Sequence, residues 1–332
     1  MKEAKQVPFV ERYRAVQHGG IVRAANASAT CASAVTKTSV SCAQVQKGSA
    51  GRNNNYEMTY IDVDKDPNTY NSSRAELRLP KNATVTYARL YWGGNLLAGE
   101  QKPAKDNNRV LFAEPGGEYK QILADTTMGH RLAEGADAYA ASADVTDIVR
   151  DSSPGAYTVG QINIAKGHSK PGTYGGWTLV VAYSDPSAPL RTLSVWDGYQ
   201  TVNEARPDFF LEMEELNVPA KGKGSLGVVA YDGDRGLGSN ALGVAADDSK
   251  KPVTLSNAAN PANDAMNSTI STNGKSDTGR KPNHVNTLGV DSDVFNVTSA
   301  LKSGAEDLTV GFGSKDEGYH LSALFLQADA RR

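Results

Sequence analysis

One order of strand signals occurs twice along this chain, and this repetition constrains the fold more than any other feature. Signals at 79–94, 144–160 and 176–179 recur in the same order at 218–233, 296–311 and 318–321. The two copies lie roughly 140–150 residues apart, which is about one domain length. The sequence therefore predicts two related domains in tandem.

The repeated signals are typical of β-strands. Segments 56–63 and 83–92 alternate apolar with polar residues, while 177–183 is apolar on both faces and predicts a central strand. One short helix is predicted at 144–149, with Asp144 at its N-terminus. We therefore expect an all-β protein made of two related jelly-roll-like β-sandwiches in tandem.

Three regions follow from the repeat. Residues 1–55 form an N-terminal arm with a cysteine loop, 56–200 the first β-sandwich, and 201–332 the second. A polar insertion, rich in Asn, Ser, Asp and Lys, interrupts the second sandwich at about 245–286.

The arm lies outside both copies of the repeat, so neither sandwich needs it to complete its strands. It nevertheless carries strand-forming apolar residues, each of which contributes roughly 1.5–3 kcal/mol when buried. We expect the arm to add a strand to the open sheet edge of a neighbouring copy, which would build head-to-tail assemblies. The alternative is that it folds back onto its own first sandwich. The residues concerned are Phe9, Val10, Tyr13, Ile21 and Val22.

Charge and hydropathy exclude several classes of protein. The net charge is −2 and the pI is about 6.2, which argues against a nucleic-acid binder. No apolar run approaches the roughly 18 residues that a membrane-spanning helix needs. With 39% hydrophobic residues, the chain is also too apolar to be a disordered polyelectrolyte.

The two cysteines, Cys31 and Cys42, lie in a stretch rich in Ser, Thr and Ala. Neither belongs to a Cys-x-x-Cys pair or adjoins a histidine, so a metal or redox role is disfavoured. We expect a short structural disulfide that stabilises the fold by about 2–3 kcal/mol; the alternative is two buried thiols. A disulfide is typical of an extracellular or cell-surface protein.

The strongest candidate for a metal site is the acidic run Asp62, Asp64 and Asp66, which an Asn-rich turn follows. Closely spaced hard oxygens suit Ca²⁺, which is the one cofactor that the sequence suggests. The alternative is a strand whose Asp side chains simply face water. Two further acidic segments, 232–236 and 291–293, are weaker candidates, and turn chemistry accounts for the first.

No pattern nominates a catalytic centre. The five histidines are scattered, and the common hydrolase and nucleotide-binding motifs are missing, so we expect a protein that is not an enzyme. Most aromatic residues lie inside strand signals, where core packing explains them. Trp196 and Tyr199 flank a turn signal and are the pair we would test for stacking against glycans.

The run Gly-Gly-Trp-Thr-Leu-Val-Val-Ala-Tyr-Ser-Asp-Pro at 175–186, followed by 189–199, resembles a known family. The chain is similar to an uncharacterised domain at the N-terminal end of large secreted bacterial surface proteins, common in actinobacteria. Segments 62–73, 90–94, 232–236 and 289–291 share this resemblance. It implies an extracellular, non-enzymatic surface component.

Two functions follow from these observations. The first is a structural subunit of a secreted filament or surface assembly, whose partners are copies of itself held through the N-terminal arm. The alternative is a calcium-dependent adhesin or lectin-like domain that binds surface glycans. Neither requires nucleic acid or a membrane span.

Overall fold

The structure, a computed structural model, describes residues 2–37, 40–247, 249 and 251–331. The predicted arm includes Met1, Thr38 and Ser39, the polar insertion includes Asp248 and Lys250, and the predicted second sandwich ends at Arg332; these six residues lie outside the described part of the chain. Within those residues, none of the helices combines the length and the apolar character that crossing a membrane requires.

The first half of the chain contains twelve strands and two short α-helices among the described residues, with 3₁₀ turns at Asn53–Asn55 and Ala104–Asp106. The elements are β1 (Glu3–Ala4), β2 (Val7–Ala27), β3 (Ala29–Ala34), α1 (Cys42–Gln46), β4 (Tyr56–Tyr60), β5 (Ser72–Leu77), β6 (Thr84–Asn95), β7 (Arg109–Ala113), β8 (Lys120–Leu123), β9 (Met128–Ala133), β10 (Ala136–Asp144), α2 (Thr146–Arg150), β11 (Gly155–Gly160) and β12 (Gly175–Ser184).

The second half follows after a short loop at 185–189. Its elements are β13 (Leu190–Val202), β14 (Asp208–Met213), β15 (Gly224–Tyr231), β16 (Asn240–Ala246), β17 (Val253–Thr254), β18 (Ile270–Thr272), β19 (Lys275–Ser276), β20 (Arg280–Lys281), β21 (Val290–Asn296), α3 (Thr298–Leu301), β22 (Leu308–Ser314) and β23 (Tyr319–Asp329).

Twelve strands form one continuous sheet in the order β1-β9-β10-β6-β12-β2-β13-β23-β15-β21-β18-β19. Two smaller sheets, β20-β5-β11-β7-β8 and β14-β22-β16-β17, complete the two sandwiches. Each sandwich thus has four strands in the large sheet, β2-β12-β6-β10 or β13-β23-β15-β21, and at least four in its small sheet. When the strands of each half are taken in chain order, corresponding strands occupy corresponding positions in the two sandwiches: β2, β6, β10 and β12 match β13, β15, β21 and β23.

The predicted all-β class is confirmed. The predicted central strand at 177–183 is β12, which is buried along almost its entire length between β2 and β6. The predicted short helix is α2, but it begins at Thr146 with Val145 as its N-cap residue. Asp144, the predicted cap, ends β10 and accepts a hydrogen bond from Thr146 N at 2.8 Å. The second set of strands begins at Leu190, whereas the sequence predicted a division near residue 200. A jelly-roll type for each half remains our interpretation of this strand order.

The predicted exchange of the N-terminal arm between copies is wrong, because the arm is a central strand of its own chain. Residues 7–18 of β2 pair with β13, and residues 19–27 pair with β12. β2 occupies the place in the first sandwich that β13 occupies in the second. Where the two pairings meet, a Cβ on Gly19 would lie 1.9 Å from Tyr183 O, so only glycine fits.

The arm's apolar residues are therefore used within the molecule. Tyr13 stacks on Tyr87 with ring centroids 4.8 Å apart, and Phe9 contacts Phe209 at 5.3 Å. Ile21 is buried in the core between the sandwiches, and Val22 packs against the first core. Of the five predicted assembly residues, Val10 alone is exposed.

The described residues form three hydrophobic cores. The first two fill the interiors of the two sandwiches. The third combines residues of both halves on the opposite face of the continuous sheet, so the sandwiches pack against each other rather than hang from a linker. Its fully buried members include Tyr91, Tyr174, Val180, Val195, Tyr199 and Tyr231.

The predicted disulfide is confirmed. Cys31 on β3 is bonded to Cys42 at the start of α1, with the two Cα atoms 5.6 Å apart. β3 pairs with β4, so the bond fastens α1 to the edge of the first sandwich.

Candidate ligand groove and buried carboxylate cluster

The acidic run predicted from the sequence forms the loop between β4 and β5. Lys65 N donates to Asp62 Oδ1 at 3.2 Å, Asp66 N to Asp64 Oδ1 at 3.0 Å, and Asn68 N to Asp66 Oδ1 at 2.8 Å. Each carboxylate thus accepts a hydrogen bond from a backbone group of its own loop, as Asp commonly does in turns. A calcium site at Asp62, Asp64 and Asp66 stays a prediction.

Asp64 and Asp66 instead form one wall of an open groove of about 970 Å³ on the outer face of β5, β11 and β7. The inward residues of these strands, such as Ala75, Tyr157 and Phe112, belong to the first core, so the alternate residues face outward. The loop between β7 and β8 forms the opposite wall. The groove is lined by Asp64, Asp66, Pro67, Arg74, Ala113, Glu114, Pro115, Gly116, Gly117, Glu118, Tyr119, Ala156 and Thr158.

The floor of the groove is polar and held in place. Arg74 Nε donates to Thr158 Oγ1 at 3.0 Å, and its terminal nitrogens make no hydrogen bond within the described part of the chain. The Tyr119 hydroxyl donates to Asp64 Oδ2. Burial opposes ionisation of Asp64, but hydrogen bonds from Asp66 N and Tyr119 outweigh it and lower the pKa of Asp64.

The aromatic pair proposed for glycan stacking lies elsewhere. Tyr199 is 1% exposed in the third core, where its ring stacks on His320 with centroids 5.4 Å apart. Trp196 packs, partly buried, against the second core. Tyr199 is therefore a core residue, and the sequence missed this because β13 is covered on both faces.

A second set of functional candidates, here called the buried carboxylate cluster, lies in the second sandwich. The sequence indicates this cluster only weakly, because its members are far apart in the chain. They come from the end of β15, the polar insertion, β21 and the residue that precedes Tyr319 by two positions. The members are the buried Asp264, Asp291, Asp293 and Glu317 and, at the border, the half-buried Asp232 and Asp234.

The polar insertion covers this cluster. Asn267 N and Thr269 N donate to Asp291 Oδ1 at 2.8 and 3.1 Å. The hydroxyls of Thr269 and Ser271 donate to Asp293. Asp291 and Asp293 are fully buried, so the insertion fills the interior of the second sandwich with hydrogen-bond donors and is part of the packed structure.

Some of the buried oxygens have no donor. Asp291 Oδ2 and Asp264 Oδ1 are inaccessible and make no hydrogen bond within the described residues. A Cβ on Gly233 would lie 2.5 Å from both Asp291 Oδ2 and the Met266 carbonyl oxygen. Only glycine fits at this position, and the two oxygens lie close to the same point beside it.

Burial and mutual repulsion change the acidity of the cluster. Burial, followed by the charge of Asp234, raises the pKa of Glu317 to about 9. Burial also raises the pKa of Asp234 to about 7. For Asp291, burial and then the charge of Asp293 raise the pKa well above its usual range. These carboxyl groups therefore need either protons or a compensating cation at neutral pH.

The sequence model described as "Protein of unknown function (DUF3344)" matches residues 43–329, which spans both sandwiches. The chain belongs to the DUF3344 family. The resemblance noted from the sequence is thus confirmed in its coarser form, an uncharacterised domain. No curated protein matches the chain.

Among solved structures, the major capsid protein P2 of bacteriophage PM2 aligns with 94% of this chain and 99% of its own at 11% identity, with a TM-score of 0.21. SGBP-B from a xyloglucan utilization locus of Bacteroides uniformis aligns with 98% of each chain at 6% identity, with a TM-score of 0.26. Scores this low carry no argument about the DUF3344 chain.

Proposed function

We propose that this chain is a non-enzymatic extracellular binding module, and that its ligand is a hydroxyl-rich glycan bound in the groove of the first sandwich. The observation that carries the proposal is the groove itself, about 970 Å³ in volume and walled by two loops. Open clefts of this size with a few fixed polar groups are the usual form of a binding site. The disulfide supports an extracellular location.

The groove offers the groups that hydroxyl-rich ligands require. Arg74 presents terminal N–H donors, Asp64 and Glu114 present carboxylate acceptors, and Tyr119 contributes a ring and a hydroxyl. Hydrogen bonds to charged groups are the stronger ones, each worth roughly 1.5–3 kcal/mol. Because Arg74 and Tyr119 are already fixed by Thr158 and Asp64, little side-chain freedom is lost on binding.

The acidity of the carboxylates supports a role in binding rather than in catalysis. Hydrogen bonds lower the pKa of Asp64, and an ion pair with Lys120 lowers the pKa of Glu114. A general acid at neutral pH needs a raised pKa instead. Carboxyl groups with raised pKa are present in the buried carboxylate cluster, away from the groove.

Glycan-array screening of the purified domain, followed by calorimetry with a glycan that binds, tests this function. We expect Arg74→Ala to weaken binding by roughly 10–100-fold, as loss of a charged hydrogen bond implies. Arg78→Ala is the matched control, because Arg78 is an exposed arginine that lies outside the groove. Failure to bind any glycan, or equal binding by Arg74→Ala and wild type, would refute the proposal.

A second candidate, assembly of copies of this chain, is favoured by the outer face of the second sandwich. There Phe210 is 66% exposed beside a small, mostly apolar groove of about 250 Å³. The groove is lined by small residues of β16 and β22, which allow close approach. Exposed apolar surface of this kind is common at contacts between proteins.

A further inference from the structure

We propose that the buried carboxylate cluster of the second sandwich binds a Ca²⁺ ion through the carboxylates of Asp291 and Glu317 and the carbonyl oxygen of Met266. This site is separate from the groove of the first sandwich and from the acidic loop at Asp62, Asp64 and Asp66. It would be a structural site, enclosed by the polar insertion.

The first observation is an oxygen that lacks a donor. Asp291 is fully buried, and its Oδ1 accepts two backbone hydrogen bonds while its Oδ2 accepts none within the described residues. An unpaired buried carboxylate oxygen is costly, since its hydration is lost and not replaced. A cation at Oδ2 would remove this cost.

The second observation is that other oxygens lie beside it. The Met266 carbonyl and Asp291 Oδ2 both lie 2.5 Å from the point that a Cβ on Gly233 would occupy. Asn240 connects this point to Glu317: its Oδ1 accepts from Met266 N at 2.8 Å, and its Nδ2 donates to Glu317 Oε2. The charge of Glu317 also acts on Asp291.

The third observation is a local shortage of positive charge. Arg23 acts on Asp293, Arg52 on Asp234 and Arg235 on Asp264, all at the edge of the cluster. Within the described residues, neither Asp291 nor Glu317 forms an ion pair with a lysine or arginine. The centre of the cluster is therefore where a cation is missing.

The atoms available as ligands indicate which metal ion would bind. Every candidate ligand is an oxygen, from carboxylate, carbonyl or amide groups, and this mixture suits Ca²⁺ rather than Zn²⁺. In the described part of the chain, no three carboxylate, imidazole or thiolate groups converge as a ready-made metal cage. We therefore assign two carboxylates, with neutral oxygens completing the coordination.

Such a site would tie together elements that are distant in sequence. It would join the polar insertion to the start of β21 and to the residues before β23. Asn53, which belongs to the first half, donates to Asp232 Oδ1 at 3.0 Å and to Asp234 Oδ1 at 3.3 Å at the border of the same cluster. Binding of the ion would therefore stabilise the second sandwich and its contact with the first.

The test measures thermal unfolding of the whole chain at pH 7.5, in EDTA and in excess CaCl₂, together with calorimetric titration by CaCl₂. We expect Ca²⁺ to raise the melting temperature of the wild type by about 4 °C, as a ligand at a hundredfold excess over Kd implies for a chain of this length. Asp291→Asn keeps the shape of the side chain but should lose this shift. Asp62→Asn, the matched control in the exposed loop, should retain it.

Each outcome decides the proposal. A wild type that neither binds Ca²⁺ in the calorimeter nor melts higher in CaCl₂ would overturn it. So would a shift that survives in Asp291→Asn, or one lost in Asp62→Asn instead. If Asp291→Asn does not fold, Glu317→Gln replaces it, with the same loss expected, and the wild-type titration still decides whether the ion binds.

Discussion

Tyr139 and Ala141 on β10 hold the same places in the first sandwich that Asp291 and Asp293 on β21 hold in the second. The match follows because each strand leads into a helix that begins with Val-Thr, at 145–146 and 297–298. Tyr139 and Ala141 are part of the first hydrophobic core. Their counterparts are two fully buried carboxylic acids.

The two sandwiches share a strand order, but the second has acids at these two buried positions, and buried acids need hydrogen-bond donors. Between β17 and β21, the second sandwich has a long polar insertion whose Asn267, Thr269 and Ser271 donate to the two acids. The first sandwich has only β9 between β8 and β10, and its interior there is apolar. The acids and the insertion therefore belong together, since buried charge without donors is strongly destabilising.

The outer faces of the two sandwiches differ as well. Loops at 62–68 and 114–119 form walls on the first sandwich and make an open groove lined by several charged side chains. On the second sandwich the matching face has a smaller groove, lined with glycine and alanine around Phe210. The first sandwich thus offers an open polar surface, while the second keeps its polar groups inside.

The largest effect is expected when an acid is placed in the interior of the first sandwich. Tyr139→Asp places an acid in the apolar core of the first sandwich, where no polar insertion can supply donors. We expect a loss of about 4 kcal/mol or more in the free energy of unfolding, because the buried charge is unpaired. Urea unfolding measures it, with Tyr139→Phe as the control that keeps the ring and costs about 1 kcal/mol or less. If Tyr139→Asp were as stable as wild type, the two interiors would be interchangeable and the comparison would fail.

The two sandwiches also differ at Thr178 on β12 and its counterpart His320 on β23. Because only the histidine can be protonated, lowering the pH should destabilise the protein through His320. Burial, with a smaller effect of Arg131, lowers the pKa of His320 to about 3. Below about pH 6.5 the unfolded chain binds a proton that the folded protein does not, so this contribution to stability is present above that pH. Between about pH 6.5 and pH 3, this contribution to the free energy of unfolding decreases by about 1.4 kcal/mol for each pH unit.

Urea unfolding of wild type and His320→Gln at pH 7.0 and 4.5 measures this contribution. We expect the loss of stability between the two pH values to be about 2–3 kcal/mol smaller in the variant. Other titrating groups act equally on both proteins and cancel in the difference. An identical pH dependence would show that His320 is not buried in its neutral form.

The smallest expected effect concerns the outer face of the second sandwich. Phe210→Ser should change the free energy of unfolding by about 0.5 kcal/mol or less, because the ring is 66% exposed. Phe312→Ala, on the adjacent strand but inside the second core, should cost about 3–5 kcal/mol. Urea unfolding measures both, and sedimentation velocity shows whether Phe210→Ser removes any self-association of the wild type. A large destabilisation by Phe210→Ser would show that this face is packed rather than free.

The local sequence predicted several features correctly, because each depends on neighbours in the chain. Strand alternation identified the all-β class, the apolar run at 177–183 identified β12, and short spacing identified the pair Cys31 and Cys42. The repeat likewise predicted two related halves, and we interpret the strand order as a correspondence between them. Turn and strand preferences act over a few residues, so they are readable without the fold.

Long-range pairing decided the rest. The apolar arm residues Ile21 and Val22 indicated burial, but only the fold shows that β2 lies between β12 and β13 of its own chain. The spacing of Asp291 and Asp293 is that of a strand with one solvent-exposed face. That face is buried only because the polar insertion packs over it. The sequence by itself determined which segments are strands, because that depends on local alternation and turns. The tertiary structure alone decided which strand faces meet, because pairing depends on residues that lie far apart along the chain.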